Sequence, residues 1–140
     1  MKKRIIHFFL ILSFLFLQFP AFSQVPEHMA AKRETRKNMT VKEWNTDARS
    51  KTRWLDRVTT YDQEGRKIEE TEYARYGQKW RQTYEYGANG RIVREVLYDD
   101  RDKPSLIRKY EYDPEGRKAR QFNYAPNGKL QTTKVFEYVQ

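Results

Sequence analysis

Aromatic and turn-forming positions recur along most of this chain on a nearly fixed spacing. Tyrosines stand at 61, 73, 86, 98, 112 and 124, and Tyr138 closes the series, with steps of 12 to 14 residues. The segment Tyr61-Asp-Gln-Glu-Gly65-Arg-Lys67 returns as Tyr112-Asp-Pro-Glu-Gly116-Arg-Lys118. Tyr86-Gly-Ala-Asn-Gly90-Arg-Ile92 and Tyr124-Ala-Pro-Asn-Gly128-Lys-Leu130 follow the same plan, and Tyr98 heads a version with Asp102 where Gly is expected. A longer period of 26 residues overlies this one: Tyr84-Glu-Tyr86, Tyr110-Glu-Tyr112 and Phe136-Glu-Tyr138. The repeating unit is therefore a pair of segments, near 59–83, 84–109 and 110–135, and the chain ends on the opening strand of a fourth.

Each segment reads as a strand followed by a turn. Asp-Pro-Glu-Gly and Ala-Pro-Asn-Gly are turn chemistry, because Pro presets φ and Gly tolerates a positive φ at the exit. Tyr61, Gly65, Gly90, Gly116 and Gly128 are thus structural repeat positions. The stretches between turns favour Tyr, Thr, Val and Ile, which suits strands. Turns this short join antiparallel neighbours. The expected fold is all-β: an antiparallel up-and-down meander of about seven or eight strands, as a curled single sheet or open half-barrel. An earlier pair, 39–45 and 52–61, begins it.

The two-residue period sorts the strands into faces. One face is expected to collect Thr59, Tyr61, Thr71, Tyr73, Trp80, Tyr84, Tyr86, Val96, Tyr98, Leu106, Tyr110, Tyr112, Phe122 and Tyr124, aromatic and mostly buried. The other is expected to collect Val58, Glu70, Glu72, Arg81, Glu85, Glu95, Leu97, Ile107, Lys109, Glu111 and Gln121, charged and wet. Opposed Glu and Arg or Lys across strands add roughly 0.2–1 kcal/mol per pair.

The first residues break the pattern. Lys2-Lys3-Arg4, an apolar run from Ile5 to Phe19, Pro20 and Ala21-Phe22-Ser23 have the layout of a secretory signal peptide cleaved before Gln24. The run is shorter than the ~20 residues that span a bilayer. Residues 1–23 are read as an export signal, 24–38 as a polar, basic, partly frayed arm able to start a short helix, and 39–140 as the repeat domain. The destination is the periplasm, the cell surface or the outside of the cell.

Composition then changes meaning. The chain has 140 residues, a formal charge of +9 and no Cys. Six of its eight Phe lie in the export signal, while all ten Tyr and all three Trp lie beyond it. Leu, Ile, Val and Phe together fall below the roughly 20% at which disorder becomes the default for a charged chain. Folding must therefore draw on the Tyr repeat. Lack of Cys excludes a disulfide scaffold and a Cys metal site.

The Tyr-Asp-x-x-Gly-Arg segments at 61–66 and 112–117, with the Tyr-x-Tyr lead-ins at 84–86 and 110–112, resemble YD-repeat (Rhs-type) sequence, and more weakly MORN-like repeats. The resemblance covers roughly Thr59 to Tyr138 and implies an array of β-hairpins on an exported or cell-surface protein. Large members form shells around a toxin; three units leave no room for one. The resemblance transfers no catalytic residues.

Candidate chemistry is sparse. His28 lies in the arm, away from Ser50 and Ser105, so a Ser-His-Asp arrangement has no frame. Asp99-Asp100-Arg101-Asp102 lacks calcium-loop spacing and reads as a charged turn. No cofactor is expected, and no enzyme. Two binding readings remain. Trp80, Tyr84, Tyr86, Tyr110 and Tyr112 could stack on a glycan, and Arg66, Arg91, Arg117 and Lys129 could line one sheet edge for an anionic polymer. The leading expectation is a non-enzymatic structural or interaction module. Its partner would be an envelope protein or a second copy joined through open sheet edges. No nucleic acid and no membrane span after cleavage are expected.

Overall fold

The computed structural model describes residues 27–139. The proposed export signal lies outside the described residues. One α-helix, α1 (Glu27–Glu34), precedes eight strands: β1 (Thr40–Thr46), β2 (Arg53–Tyr61), β3 (Lys67–Ala74), β4 (Gly77–Tyr86), β5 (Ile92–Tyr98), β6 (Pro104–Tyr112), β7 (Lys118–Tyr124) and β8 (Leu130–Val135). They form a single antiparallel sheet in chain order, and β1 and β8 are its two edges. The all-β meander read from the repeat is the fold observed.

The turns explain the repeat. In the β2–β3 hairpin the Asp62 N–H donates to the Arg66 carbonyl at 2.9 Å and the Gly65 N–H to the Asp62 carbonyl at 3.0 Å. Gly65 has φ +69°. This is a three-residue loop closed by a residue in the left-handed region, where Gly carries no Cβ penalty. The hairpins opening at Gly87, Asp99, Asp113 and Ala125 repeat the same pair of backbone bonds. Asp62 adds a side-chain role: its Oδ1 accepts the N–H groups of Glu64 and Arg66, each at 2.9 Å, and its Oδ2 accepts Arg66 Nε at 2.8 Å. Burial raises the Asp62 carboxyl, but these donors and the Arg66 charge outweigh it and hold it below its ordinary range.

Every hairpin carries one irregularity, always at an aromatic at or near the end of the first strand. Thr60 faces Glu69 but Tyr61 faces Lys67, so Ile68 is an extra residue. The same slip falls at Trp44, Tyr73, Tyr86, Tyr98, Tyr112 and Tyr124. These are β-bulges, which leave one residue of the following strand unpaired and increase local twist.

The bulges overturn part of the expected face assignment. One extra residue flips which side chains share a face. Two successive bulges cancel. Even-numbered strands therefore keep the expected faces, while the paired residues of β3, β5 and β7 exchange theirs. Glu70 lies opposite Gln82, and Glu95 opposite Tyr84 and Arg108, so Glu70, Glu72, Glu95, Leu97 and Gln121 share the face of Tyr84 and Tyr110. Thr71, Val96, Tyr98, Phe122 and Tyr124 lie on the opposite face, with Arg81, Ile107 and Lys109.

A single sheet cannot build a deep core. Among the described residues the buried ones are Thr59, Gly65, Glu70, Thr71, Glu95, Val96 and Tyr110. Cross-strand pairs take over. Ion pairs join Arg81 to Glu69 at 3.1 Å, Arg108 to Glu95 at 3.3 Å and Arg120 to Glu111 at 3.4 Å, as the opposed charges suggest. Each contributes a fraction of ~1 kcal/mol, so stability is spread over many rungs.

Candidate functional site

The repeat carries a second device, on the face of Tyr84 and Tyr110. The second aromatic of each Tyr-Glu-Tyr or Phe-Glu-Tyr segment reaches back to the start of the preceding strand. Tyr86 donates its hydroxyl proton to the Lys67 carbonyl at 2.8 Å, Tyr112 to that of Ile92 at 2.7 Å and Tyr138 to that of Lys118 at 2.9 Å. Over each ring lies the Arg that follows the preceding unit's turn: Arg66 over Tyr86 at 4.7 Å, Arg91 over Tyr112 at 5.7 Å and Arg117 over Tyr138 at 4.6 Å. Such cation–ring contacts contribute about 0.5–1 kcal/mol each when exposed.

At the N-terminal end there is no preceding unit, and α1 supplies the missing part. Arg36, just beyond the helix, lies over Tyr61 at 5.2 Å. The Asn38 N–H donates to the Asp62 carbonyl and the Tyr61 N–H to that of Met39, each at 2.9 Å. Gly65 is buried beneath the helix end: a Cβ there would stand 2.0 Å from the Arg33 carbonyl oxygen. The arm forms the short helix expected of it and stays mostly exposed, while Arg33 and Arg36 pack its C-terminal end on Gly65 and Tyr61 as a cap.

Between α1 and the sheet lies a cavity of about 260 Å³. Met29, Lys32, Arg33 and Arg36 form its outer wall, and Tyr61, Gly65, Arg66, Lys67 and Tyr86 form its floor. Two of the cations are spoken for. Arg66 pairs with Asp62 at 2.8 Å and Glu64 at 2.7 Å, and Lys67 pairs with Glu70. Among the described residues, Lys32, Arg33 and Arg36 have no carboxylate within ion-pair reach. The Tyr86 hydroxyl is raised by burial, against the pull of Arg66 and Arg33. A pocket with this balance suits a carboxylate, phosphate or sulfate.

The structure brings Trp80, Tyr84, Tyr86, Tyr110 and Tyr112 onto one face, but four of those rings already carry cations. Lys67 lies over Tyr84 at 5.3 Å and Lys118 over Tyr110 at 4.1 Å, beside the Arg66 and Arg91 contacts. Tyr110 is only 8% exposed, and its hydroxyl donates to Glu95 Oε2 at 2.8 Å. Tyr84 makes the matching bond to Glu70 Oε2 at 3.4 Å. Both hydroxyls are raised by burial, with the adjacent carboxylates adding to the effect. Trp80 stands towards the other end of β4, opposite Glu72.

Arg66, Arg91 and Arg117 follow hairpins at one end of the sheet, whereas Lys129 follows the β7–β8 hairpin at the other, so the four do not form one stripe. Gly116 makes room for the Arg91 guanidinium, which would meet a Cβ at 1.8 Å, while Gly90 and Gly128 face open space. In the acidic turn, Asp99 accepts the N–H groups of Arg101 and Lys103, and Asp102 pairs with Arg81 at 2.7 Å. The side chain of His28 lies outside those described.

Sequence reading missed Trp44 as the first of the closing aromatics, because the longer β1–β2 loop hides the period. It also missed the Glu partners of Tyr84 and Tyr110, although Glu70, Glu95 and Gln121 recur at the unit spacing.

No family model matches the chain, and no curated protein matches it. Among solved structures, the chain is similar over 77% of its length to a TarM mutant from S. aureus in complex with Fondaparinux, alpha-GlcNAc-glycerol and UDP, at 16% identity and a TM-score of 0.29. A second TarM structure matches over 74% of the chain at 14% identity and a TM-score of 0.31. The chain spans 21% and 22% of those two proteins. Likeness at this level carries no argument about function.

Proposed function

We propose that this chain is an exported, non-enzymatic β-repeat module of YD-repeat type that binds protein partners by strand addition at its sheet edges. The observation that carries the reading is the state of those edges. β8 is exposed at all six positions and β1 at six of seven. Trp44, Leu130 and Val135 on them are 46%, 46% and 62% exposed. A bare edge offers a row of backbone donors and acceptors to an incoming strand. The non-enzymatic part rests on how the reactive groups are used: Asp62, Glu70, Glu95 and Asp113 each hold a Tyr or Arg of the sheet. Export rests on the layout of residues 1–23, and among the described residues no helix is long and apolar enough to cross a membrane.

The test is a titration of labelled strand peptides into residues 24–140, followed by amide exchange. Protection that grows along β1 or β8 supports strand addition. Protection confined to α1 and the 62–66 turn, or none, overturns it.

The cavity under α1 favours a second reading, an anionic ligand such as an acidic glycan, because Lys32, Arg33 and Arg36 converge there beside Tyr61 and Tyr86. Titration with inorganic sulfate and with a uronic-acid oligosaccharide, monitored by NMR, tests it. Shifts centred on Gly65 and Tyr86 that vanish in Arg36→Ala support it; unchanged spectra at millimolar ligand dismiss it.

A further inference from the structure

Strands of this sheet fall into two repeating classes, and the two edges belong to different ones. β2, β4 and β6 close on Tyr61, Tyr86 and Tyr112, and each passes through a three-residue loop to the next strand. β8 belongs to this class, because Phe136-Glu-Tyr138 matches Tyr110-Glu-Tyr112 and Tyr138 makes the same carbonyl bond and Arg contact as Tyr86 and Tyr112. Each of the other three is followed by a partner strand; among the described residues β8 is an edge. β3, β5 and β7 form the other class, closing on Tyr73, Tyr98 and Tyr124 at a bulge. β1 belongs there by its place in the alternation, one strand before β2, and it too carries an aromatic, Trp44, at its bulge. Among the described residues, then, the open edge of β8 is of the type that β2, β4 and β6 present to their following strands, and the open edge of β1 belongs to a strand of the type that follows them.

We infer that the partner is a second copy of this chain, with β1 of one molecule added to β8 of the next, head to tail. The inference rests on the edge-binding reading above and names its partner. The register follows from the repeat. In the β6–β7 pair, Tyr110 faces Gln121, Lys109 faces Phe122, Arg108 faces Asn123 and Ile107 faces Tyr124. Carrying Tyr110 to Phe136 and Tyr124 to Trp44 sets Phe136 against Val41, Val135 against Lys42, Lys134 against Glu43 and Thr133 against Trp44. Apolar meets apolar at the first rung and opposite charges meet at the third. Lys134 then has a selective role. In a two-fold β8–β8 pair whose axis passes near Lys134 it would meet its own copy, and like charges across strands are unfavourable. Against β1 it meets Glu43. The contact joins two different edges, so it is heterologous: it propagates as an open array with a free edge at each end, or as a ring where the rotation per copy closes.

The native chain has no Cys, which makes cross-linking a clean test. Glu43 and Lys134 lie on opposite edges, seven strand spacings or roughly 33 Å apart, too far for an internal disulfide. Glu43→Cys and Lys134→Cys variants of residues 24–140, which hold the helix and the whole sheet, are mixed in a redox buffer. The expected product is the mixed disulfide, formed in clear excess over either homodimer. Pairing Glu43→Cys with Thr133→Cys, one residue out of register, should give at least several-fold less. In sedimentation, Glu43→Lys alone should weaken association roughly fivefold, and Glu43→Lys with Lys134→Glu should restore it. Preferred homodimers would overturn the head-to-tail contact in favour of a two-fold one. A chain that stays monomeric, while a peptide copying residues 38–46 still protects β8, would overturn self-assembly and leave edge binding standing. Failure of the peptide as well would remove both.

Discussion

At one position of the 26-residue unit, the middle of the sheet and its C-terminal edge use different chemistry. In the middle, Tyr110 lies buried and donates to Glu95, which also takes Arg108. Tyr84 and Glu70 repeat the arrangement one unit earlier. At the edge, Phe136 and Gln121 occupy the corresponding positions, and the Gln121 amide donates within its own strand to Asn123 at 2.9 Å. The difference follows the surroundings. Strands on both sides of β5 exclude water from Glu95, 9% exposed, so its phenol and guanidinium donors are worth keeping. Beside β8 water competes for any such bond, and a phenol–carboxylate pair gains little. The repeat thus fixes the backbone everywhere, while burial decides which side chains the position can use.

The largest expected effect comes from breaking the middle pair. Glu95→Ala leaves the Tyr110 hydroxyl without its acceptor and should cost about 2 kcal/mol in urea unfolding. Gln121→Ala should cost no more than about 0.5 kcal/mol. Equal losses would show that position in the sheet does not matter.

The turn glycines extend the contrast to the N-terminal cap. Gly65 and Gly128 share the left-handed backbone, at φ +69° and +84°. Gly128→Ala meets open space and should cost about 1 kcal/mol from backbone strain alone. Gly65→Ala adds a clash with Arg33, so its cost should be larger and amide exchange in α1 should accelerate. If α1 exchanges equally fast in both variants, the helix is not docked on Gly65.

Alkaline titration gives the smallest separation. Burial first, then the nearby Glu carboxylates, raise the Tyr84 and Tyr110 hydroxyls above the ordinary 10.0. A raised folded-state value means their stabilisation is complete below pH 10 and is lost as pH rises towards the folded-state value. Thermal melts should show this loss, and Tyr110→Phe should blunt it. Phe136→Tyr, at the edge, should steepen it far less.

Much of the fold was legible because turns are local. Asp62, Gly65 and Arg66 sit within five residues, and their backbone geometry follows from their own chemistry. Strand number, antiparallel order and cross-strand ion pairs came with them. Faces were not fully legible, because Ile68, Val93 and Ala119 look like ordinary strand residues and only pairing shows them to be extra. The candidate site was legible in part. Arg66 and Tyr86 are both among the candidates, and their stacking recurs at 20 to 21 residues as Arg91 on Tyr112 and Arg117 on Tyr138, but that spacing shows no contact until the strands are paired, and the closing of the cavity by α1 has no counterpart in the repeat.

Sequence alone determined the repeat, the turns and the absence of a large aliphatic core, since each depends on residue type and short spacing. Tertiary structure alone decided which carboxylates are buried, which Arg covers which Tyr, and that the basic arm is a cap. Those outcomes depend on register across strands, and one unpaired residue per hairpin is enough to reverse it.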